Sequence, residues 1–308
     1  MFGERFVKEL ASEQIVEGLH FTFPELASLQ KIEILENGFS SYVVLAADEY
    51  VFRIAKHTQA MQGHVLENQV LPRIEAYLPT RIPHPHWHQD PNDYFPFGVT
   101  GYRYIPGVPL SPKRLDQQNC QQIAQDLAAF LLALHEIPLQ ELQDCGLKKS
   151  ADLQPRPDEV SEALALGLDK DEQRKVIDWW KAGLETESDR YTARLLHGDL
   201  WFENIILDGN LGGVVGVVDF ESMLIGDIAR DLAPLSYLGE KFLNLLVRTY
   251  REKGGRLDDD LPRRMRQAIL EREVGGLIYA LRYPESNELV DSLAKIRQLL
   301  VSMERSDY

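Results

Sequence analysis

Long apolar runs are absent from this chain of 308 residues, and cysteine is scarce. No stretch approaches the 18 consecutive apolar residues of a transmembrane helix, so the sequence predicts no membrane span. The charged beginning MFGERFVKELASEQ has no apolar segment of the length found in secretory signals. Cys120 and Cys145 show no metal-ligand spacing, and we interpret both as ordinary thiols. These absences together predict a cytoplasmic protein without a structural disulfide.

The chain has fewer basic than acidic side chains: 33 lysines and arginines and 48 aspartates and glutamates, which give a net charge of −15. Nucleic-acid binding depends on clustered Lys and Arg that neutralise phosphates, so this balance argues against a nucleic-acid partner. It would instead steer a cationic small molecule toward an acidic cleft. An acidic surface also serves solubility alone, so the net charge does not decide between these two explanations.

One segment, residues 194–231, combines polar side chains with short apolar runs. Its sequence is RLLHGDLWFENIILDGNLGGVVGVVDFESMLIGDIARD. Asp199, Asn204 and Asp219 each lie close to such a run, and short apolar runs of this kind are typical of buried strands. A single Asp or Asn would suggest only a turn. The combined spacing H-x-D-x4-N, followed by a strand ending in D-F, predicts the groups that phosphoryl transfer requires: one carboxylate for the acceptor proton and two oxygen ligands for Mg²⁺.

The motifs HGDLWFEN and VVDFE make the chain resemble the aminoglycoside phosphotransferase family of small-molecule kinases, from about Glu33 to about Pro284. The resemblance implies an α+β, two-lobed protein-kinase-like fold. A small N-terminal sheet lobe, residues 1–104, would bind the nucleotide. A larger helical C-terminal lobe, residues 105–308, would carry out catalysis and bind the acceptor.

The resemblance also implies a role for each residue of the motifs. Asp199 would be the catalytic base, and Asn204 and Asp219 would hold Mg²⁺ against the phosphates. Two positions depart from the pattern of protein kinases. Glu221 stands in place of the Gly of D-F-G, and Trp201 stands where their catalytic loop has Lys. Both departures favour a small-molecule kinase over a protein kinase.

Apolar patterns predict most of the secondary structure. In the N-terminal lobe they indicate a helix at 5–18, strands at 30–36, 41–47 and 50–55, and a helix at 58–78. A strand broken by proline and glycine at 101–110 would connect the lobes. Later helices are predicted at 118–136, 157–165, 171–186, 228–237, 239–253, 258–282 and 286–305.

A cation on the third strand is expected to contact the nucleotide. In the kinase fold such a cation contacts the α- and β-phosphates and pairs with a Glu on the following helix. The resemblance assigns these roles to Arg53 and Glu67. Lys56 is the rival for the phosphate contact, and a solvent-facing edge position is the alternative explanation of Arg53.

Two further segments are assigned to nucleotide binding. Gly38, Ser40 and Ser41 belong to NGFSS, where the family has a hairpin over the phosphates; a plain hairpin turn is the alternative. Tyr102 and Tyr104 lie in the connecting strand GYRYIPGVPL and are assigned to the same site.

Family members bind the acceptor between the catalytic loop and the C-terminal helices, which makes Glu221, Glu271 and Tyr279 the candidate acceptor residues. Carboxylates would pair with ammonium groups, and an aromatic ring would pack on a sugar face. Glu273 lies two residues from Glu271, and side chains two apart on a helix diverge, so both cannot face one cleft. A core position is the alternative for Tyr279.

The segment IGDIARDLAPL, which follows the D-F motif, contains two further carboxylates, Asp227 and Asp231. A Gly-Asp pair before a helix is a natural capping position. The resemblance suggests that these carboxylates brace the backbone of the catalytic loop. The alternative is that they line the acceptor site.

These observations predict an ATP- or GTP-dependent kinase that uses Mg²⁺ and phosphorylates a small hydroxylated, cationic molecule. An aminoglycoside antibiotic is the first choice, with resistance by modification as the biological outcome. A macrolide, choline, a sugar or another metabolite would use the same machinery. A non-catalytic binding protein of the same fold would be expected to lack one of Asp199, Asn204 and Asp219, which are all present.

Overall fold

The structure, a computed structural model, describes residues 10–26, 31–37, 40–184, 191–284 and 286–304. Within these ranges the chain forms a five-stranded antiparallel sheet in its N-terminal part and a larger, mostly helical C-terminal part. This arrangement agrees with the predicted α+β class. Over the same ranges no helix combines the length and the apolar character that crossing a bilayer requires.

The N-terminal part contains α1 (Ser12–Thr22), β1 (Ile32–Asn37), β2 (Ser41–Ala46), β3 (Tyr50–Ala55), α2 (Thr58–Ile74), β4 (Pro85–Gln89) and β5 (Val99–Arg103). The strands lie in the order β1-β2-β3-β5-β4 with antiparallel neighbours. The first predicted helix extends further than expected, to Thr22, and its predicted residues 5–9 lie outside the described ranges. The second predicted helix is α-helical only to Ile74 and continues as a 3-10 helix, Glu75–Tyr77.

Strand β3 places a charged residue inside the fold. Phe52 and Ile54 face the apolar core that also contains Ile15 and Leu19 of α1. Alternation along the strand therefore directs the side chain of Arg53 to the opposite face. Both sides of β3 are paired, by β2 and by β5, and Arg53 is only 5% exposed. The alternative of a solvent-facing edge position for Arg53 is wrong.

The C-terminal part contains β6 (Val108–Pro109), α3 (Cys120–His135), α4 (Pro157–Leu164), α5 (Lys170–Leu184), β7 (Arg194–Leu196), β8 (Ile205–Leu207), β9 (Val214–Val217), β10 (Leu224–Gly226), α6 (Ala229–Leu232), α7 (Glu240–Glu252), α8 (Leu261–Arg282) and α9 (Glu288–Glu304). One small sheet has the order β6-β8-β9, and β10 pairs with β7 in another. The helix predicted at 228–237 is instead the short α6 followed by a 3-10 helix, Ala233–Leu238. Pro234 has no N–H for an α-helical hydrogen bond, which favours the tighter turn.

Helix α3 is the core element against which residues 194–231, the predicted catalytic segment, pack. Leu127, Phe130 and Leu131 are fully buried on this helix. The ring of Phe130 meets the ring of Phe220 edge-on, with 6.4 Å between the centroids. Because Phe220 directly follows Asp219, the apolar core determines where that carboxylate lies.

Replacement of Phe130 by Ala is expected to lower the free energy of unfolding by about 3–5 kcal/mol, because it leaves a cavity beside Phe220. Urea unfolding monitored by circular dichroism measures the change. Leu166→Ala serves as the control, since Leu166 is 40% exposed and its truncation is expected to cost about 0.5 kcal/mol or less. Equal losses in the two variants would contradict the importance of the Phe130 contact.

Candidate active site

The loop with the HGD motif, which is the predicted catalytic loop, leaves β7 through a glycine that no other residue can replace without strain. Gly198 has φ of +83°, and a Cβ at this position would lie 1.9 Å from the carbonyl oxygen of Ser222. L-residues rarely adopt this conformation. The next residue, Asp199, has a side chain that is 38% exposed and faces a cleft of about 740 Å³.

A buried carboxylate holds the backbone of this loop. The N–H groups of His197 and Gly198 donate to the two oxygens of Asp231, both at 2.9 Å. The Nε2 atom of His135 lies 3.3 Å from one of those oxygens. Burial alone would raise the pKa of Asp231, but its hydrogen bonds and the neighbouring histidines hold that pKa below its usual value. Of the two alternatives for Asp231, the structure shows the bracing position.

Asp227, the second carboxylate of that segment, has a different environment. It accepts a hydrogen bond from the N–H of Ala229 at 3.0 Å, as expected of a residue that caps a turn. Its other oxygen accepts from Nε of Arg264 at 2.6 Å. Asp227 therefore stabilises the start of α6 and its contact with α8, and neither of these hydrogen bonds involves the catalytic loop.

Asn204 contacts the backbone of Asp199, and Asp219 lines the same cleft as Asp199. The Nδ2 atom of Asn204 donates to the carbonyl oxygen of Asp199 at 3.0 Å, and the N–H of Val218 donates to the carbonyl oxygen of Asn204 at 2.9 Å. Asp219 has φ of +66°, a conformation that non-glycine residues adopt mainly at turns and functional sites. Within the described ranges no donor contacts Oδ1 of Asn204 or Oδ2 of Asp219.

Arg53 lies inside a ring of three carboxylates. Its Nη1 contacts both oxygens of Glu67 at 2.8 and 2.9 Å, while Nη2 contacts Asp219 and Glu221, each at 2.7 Å. The N–H of Phe220 also donates to Glu67, at 2.8 Å. Burial raises the pKa of Glu67 to about 7, and the neighbouring carboxylates add to this shift although Arg53 opposes it.

This ring carries more negative than positive charge, since three carboxylates surround one guanidinium. Mg²⁺ binds oxygen ligands and prefers few protein carboxylates together with phosphate oxygens. The oxygens of Asn204 and Asp219 that no donor contacts fit this requirement, and the excess negative charge suits a divalent cation. The residues present are therefore compatible with a Mg²⁺–nucleotide site.

Arg53 and Lys56, the two candidates for the phosphate contact, have different environments. Lys56 extends over the ring of Tyr42, with 4.3 Å between Nζ and the ring centroid. Arg53, in contrast, forms the ion pair with Glu67 that was expected from the sequence. Their roles toward a nucleotide stay predictions.

The other residues assigned to the nucleotide are placed as follows. Gly38 lies outside the described residues. Ser40 and Ser41 both line the cleft. Ser40 hydrogen-bonds to Glu221, and the hydroxyl of the buried Ser41 lies 3.1 Å from Nε2 of His64. Tyr102 and Tyr104 do not line the cleft of Asp199. Tyr102 is buried on β5, and burial raises its pKa. The N–H of Tyr104 donates to the carbonyl oxygen of Glu49 at 2.7 Å.

The candidate acceptor residues are divided between two adjoining cavities. Glu221 and Tyr279 line the cleft of Asp199, and Glu273 lies at its base. Glu271 faces the neighbouring groove, of about 1230 Å³, where it forms an ion pair with Arg230. The prediction that Glu271 and Glu273 face different sides is confirmed, because residues two apart point about 200° apart around a helix.

Sequence reasoning identified Arg53 but missed two other cations of the cleft, Arg272 and Lys295. Arg272 donates to the carboxylate of Asp199, and its guanidinium carbon lies 4.8 Å from the centroid of the Trp201 ring. Lys295 of α9 lies 5.0 Å from the same centroid. The sequence contained one signal: Arg272 shares a helical face with Gly275, Gly276 and Tyr279, at spacings of three, four and seven residues.

The fold is similar to those of solved small-molecule phosphotransferases. A complex of APH(2″)-IIIa with GDP and kanamycin gives a TM-score of 0.80 at 22% identity and covers 94% of this chain and 98% of that chain. The macrolide 2′-phosphotransferase MphH from Brachybacterium faecium gives 0.69 at 17% identity, with coverages of 92% and 98%. A ternary complex of APH(2″)-IIa with streptomycin and ATP gives 0.68 at 20% identity, with coverages of 95% and 97%. The predicted protein-kinase-like fold is confirmed.

The sequence itself also matches a family. The APH model, described as the phosphotransferase enzyme family, covers residues 31–267, which is more than half of the chain. The chain therefore belongs to the phosphotransferase enzyme family. The predicted class of enzyme, a small-molecule kinase, is confirmed at this level.

Asp231→Asn is expected to lower nucleotide turnover by about 10²-fold, because a side-chain amide leaves one backbone N–H of the catalytic loop without an acceptor and misplaces Asp199. Steady-state turnover and urea unfolding are measured together. Asp227→Asn is the matched control, since it removes a buried carboxylate four residues away that does not contact the loop. Turnover that falls equally in both variants would show a loss of general stability and not of loop geometry.

Proposed function

We propose that this enzyme transfers the γ-phosphoryl group of ATP or GTP to a hydroxyl group of an aminoglycoside, with Mg²⁺ held by Asn204 and Asp219. The observation that carries the proposal is that Asp199 and Asp219 line the same cleft as Arg53, while the side-chain amide of Asn204 donates to the carbonyl oxygen of Asp199. In this proposal residues 1–104 bind the nucleotide, and residues 105–308 provide the catalytic loop and the acceptor site.

The transfer requires a base, a clamp on the phosphates and an acceptor hydroxyl in line with the γ-phosphorus. Asp199 accepts the hydroxyl proton as the acceptor oxygen forms its bond to phosphorus and the bond to the leaving nucleoside diphosphate breaks. Mg²⁺ neutralises charge on the phosphate oxygens when it is bound. Arg53 contacts the α- and β-phosphates and is oriented by Glu67, as the ion pair between them supports.

The remaining nucleotide contacts are assigned by position. The segment containing Gly38, Ser40 and Ser41 covers the phosphates, and the placement of Ser40 in the cleft supports this assignment. Tyr102 and Tyr104, at the end of β5 and just after it, flank the base at the connection to the C-terminal part.

The charge of the cleft supports a cationic acceptor. Seven carboxylates and three cationic side chains line it, so it carries a marked excess of negative charge. Glu221, Glu288 and Asp291 line the cleft and can pair with ammonium groups. Tyr279 lines the same cleft and offers a ring face on which a sugar can pack. Glu271 would contact only an acceptor that extends into the neighbouring groove.

Asp219→Ala is expected to abolish Mg²⁺-dependent nucleotide binding while the fold is retained, because it removes the carboxylate ligand of the metal. Calorimetric titration with ADP or GDP, with and without Mg²⁺, measures the effect. Asp208→Ala is the control, since Asp208 also follows a strand of the catalytic segment but accepts hydrogen bonds only from its own turn. Undiminished Mg²⁺ dependence in Asp219→Ala would remove the metal-site assignment.

A coupled assay of nucleotide consumption tests the acceptor. We expect turnover with kanamycin or gentamicin, a KM that rises with ionic strength because charge pairing is screened, and little turnover with macrolides, choline or sugars. Asp199→Asn is expected to lower kcat by about 10²–10⁴-fold and leave nucleotide affinity unchanged. Phosphorylation of a macrolide or neutral sugar, with none of the aminoglycosides accepted, would overturn the proposed acceptor and leave the kinase assignment in place.

A further inference from the structure

A cation that the mechanism above does not use lies directly on the catalytic carboxylate. Nη1 of Arg272 donates to Oδ1 of Asp199, and the two side chains are 33% and 38% exposed. The guanidinium also lies against the face of Trp201, 4.8 Å from the ring centroid, which is the geometry of a cation–π contact. Arg272 is therefore held on two sides at the centre of the cleft.

The catalytic segment supplies no cation of its own. No Lys or Arg occurs between Arg194 and Arg230, a stretch that contains both the HGD and the DF motifs. Trp201 occupies the position at which protein kinases have a Lys in this loop. The transferring phosphoryl group nevertheless carries negative charge on three equatorial oxygens, and cations that contact them stabilise the transition state.

Three cations line the cleft, and their contacts distinguish them. Arg53 is bound by three carboxylates near α2. Lys295 contacts Asp291 at 2.5 Å and lies 3.8 Å from Glu273. Of the three, Arg272 is the cation that contacts Asp199.

Contact with Asp199 places Arg272 close to the reacting atoms. The acceptor hydroxyl must lie within a hydrogen bond of the Asp199 carboxylate, and its oxygen attacks the γ-phosphorus. A guanidinium that contacts the same carboxylate lies within one further hydrogen bond of the equatorial phosphate oxygens. The fork of Arg presents several donors in one plane, so it can bond to a carboxylate and a phosphate at once.

We propose that Arg272 is a catalytic residue that donates hydrogen bonds to the γ-phosphoryl group during transfer, in the place of a cation from the catalytic loop. The inference rests on the phosphotransfer proposed above. The acceptor oxygen forms a bond to the γ-phosphorus, and the bond from that phosphorus to the β,γ-bridging oxygen breaks, leaving its electron pair on the nucleoside diphosphate. The hydroxyl proton passes to Asp199, and Arg272 makes or breaks no covalent bond.

The environment keeps this cation charged. Burial disfavours the charged guanidinium, but Asp199 and Glu273 more than compensate and hold the pKa of Arg272 above its usual value. Helix α8 also fixes the backbone from which the side chain extends. The charge is thus present before the substrates arrive, which is the condition for electrostatic stabilisation without reorganisation.

Binding of nucleotides to Arg272→Met separates this role from a structural one. We expect the variant to bind a non-hydrolysable Mg²⁺–triphosphate analogue about 10-fold more weakly than the unmodified enzyme, because a charged hydrogen bond to the γ-phosphate is lost. Affinity for the Mg²⁺–diphosphate should be unchanged, because that ligand has no γ-phosphate. In turnover, kcat should fall about 10²–10³-fold.

Rescue of kcat and a matched control variant distinguish the loss of the cation from a general disturbance of the structure. Arg272→Lys should regain part of kcat, and methylguanidinium added to Arg272→Ala should restore part of the lost turnover. Arg263→Met is the matched control, because Arg263 forms an ion pair with Asp260 on the same helix and the two side chains are 36% and 38% exposed. It should bind both nucleotides as the unmodified enzyme does.

Three outcomes would overturn the proposal: equal weakening of di- and triphosphate binding in Arg272→Met, a kcat within about twofold of the original, or a rise in acceptor KM alone. The third outcome would identify Arg272 as an acceptor-binding residue. Failure of the unmodified enzyme to bind any Mg²⁺–triphosphate would instead overturn the proposed function itself, because the binding experiment needs no acceptor.

Discussion

The buried guanidinium of Arg53 connects the parts of the chain to which we assign phosphoryl transfer. It joins β3 to α2 through Glu67, and to the catalytic segment through Asp219 and Glu221. Removal of one partner from a buried ion pair typically costs about 3–5 kcal/mol, because the remaining charge is left without compensation. The relative positions of the N-terminal sheet and the DF motif therefore depend on this one side chain, and Phe220 strengthens the connection by donating to Glu67.

A second buried carboxylate, Asp231, performs a comparable task for the catalytic loop. It satisfies two backbone N–H groups that would otherwise be buried without partners, and it does so from the start of the C-terminal helices. Asp199 can thus remain at the surface of the cleft while the backbone that carries it is fixed. Asp231 is buried and hydrogen-bonded, whereas Asp199 is partly exposed in the cleft, as its proposed contact with substrate requires.

The cleft combines an excess of carboxylates with cations that already contact them. Such pairing makes burial of the charges tolerable. Under the proposed function, phosphates and ammonium groups would bind by exchanging partners with these side chains. Trp201 supports this arrangement, since Arg272 and Lys295 both lie within 5.0 Å of its ring centroid.

Much of the fold and of the candidate site could be predicted from the sequence, because motif spacing and strand alternation are local properties. The strand limits at 50–55, the convergence of Asp199, Asn204 and Asp219, and the pair Arg53–Glu67 all followed from short patterns and the family resemblance. The predicted limits of the helices at 58–78 and 228–237 were less accurate, because proline and local hydrogen bonding determine where these helices end. The contact between Arg272 and Asp199 joins residues 73 positions apart. Only the packing of α8 against the catalytic loop could bring them together, and no local pattern records how two distant elements meet.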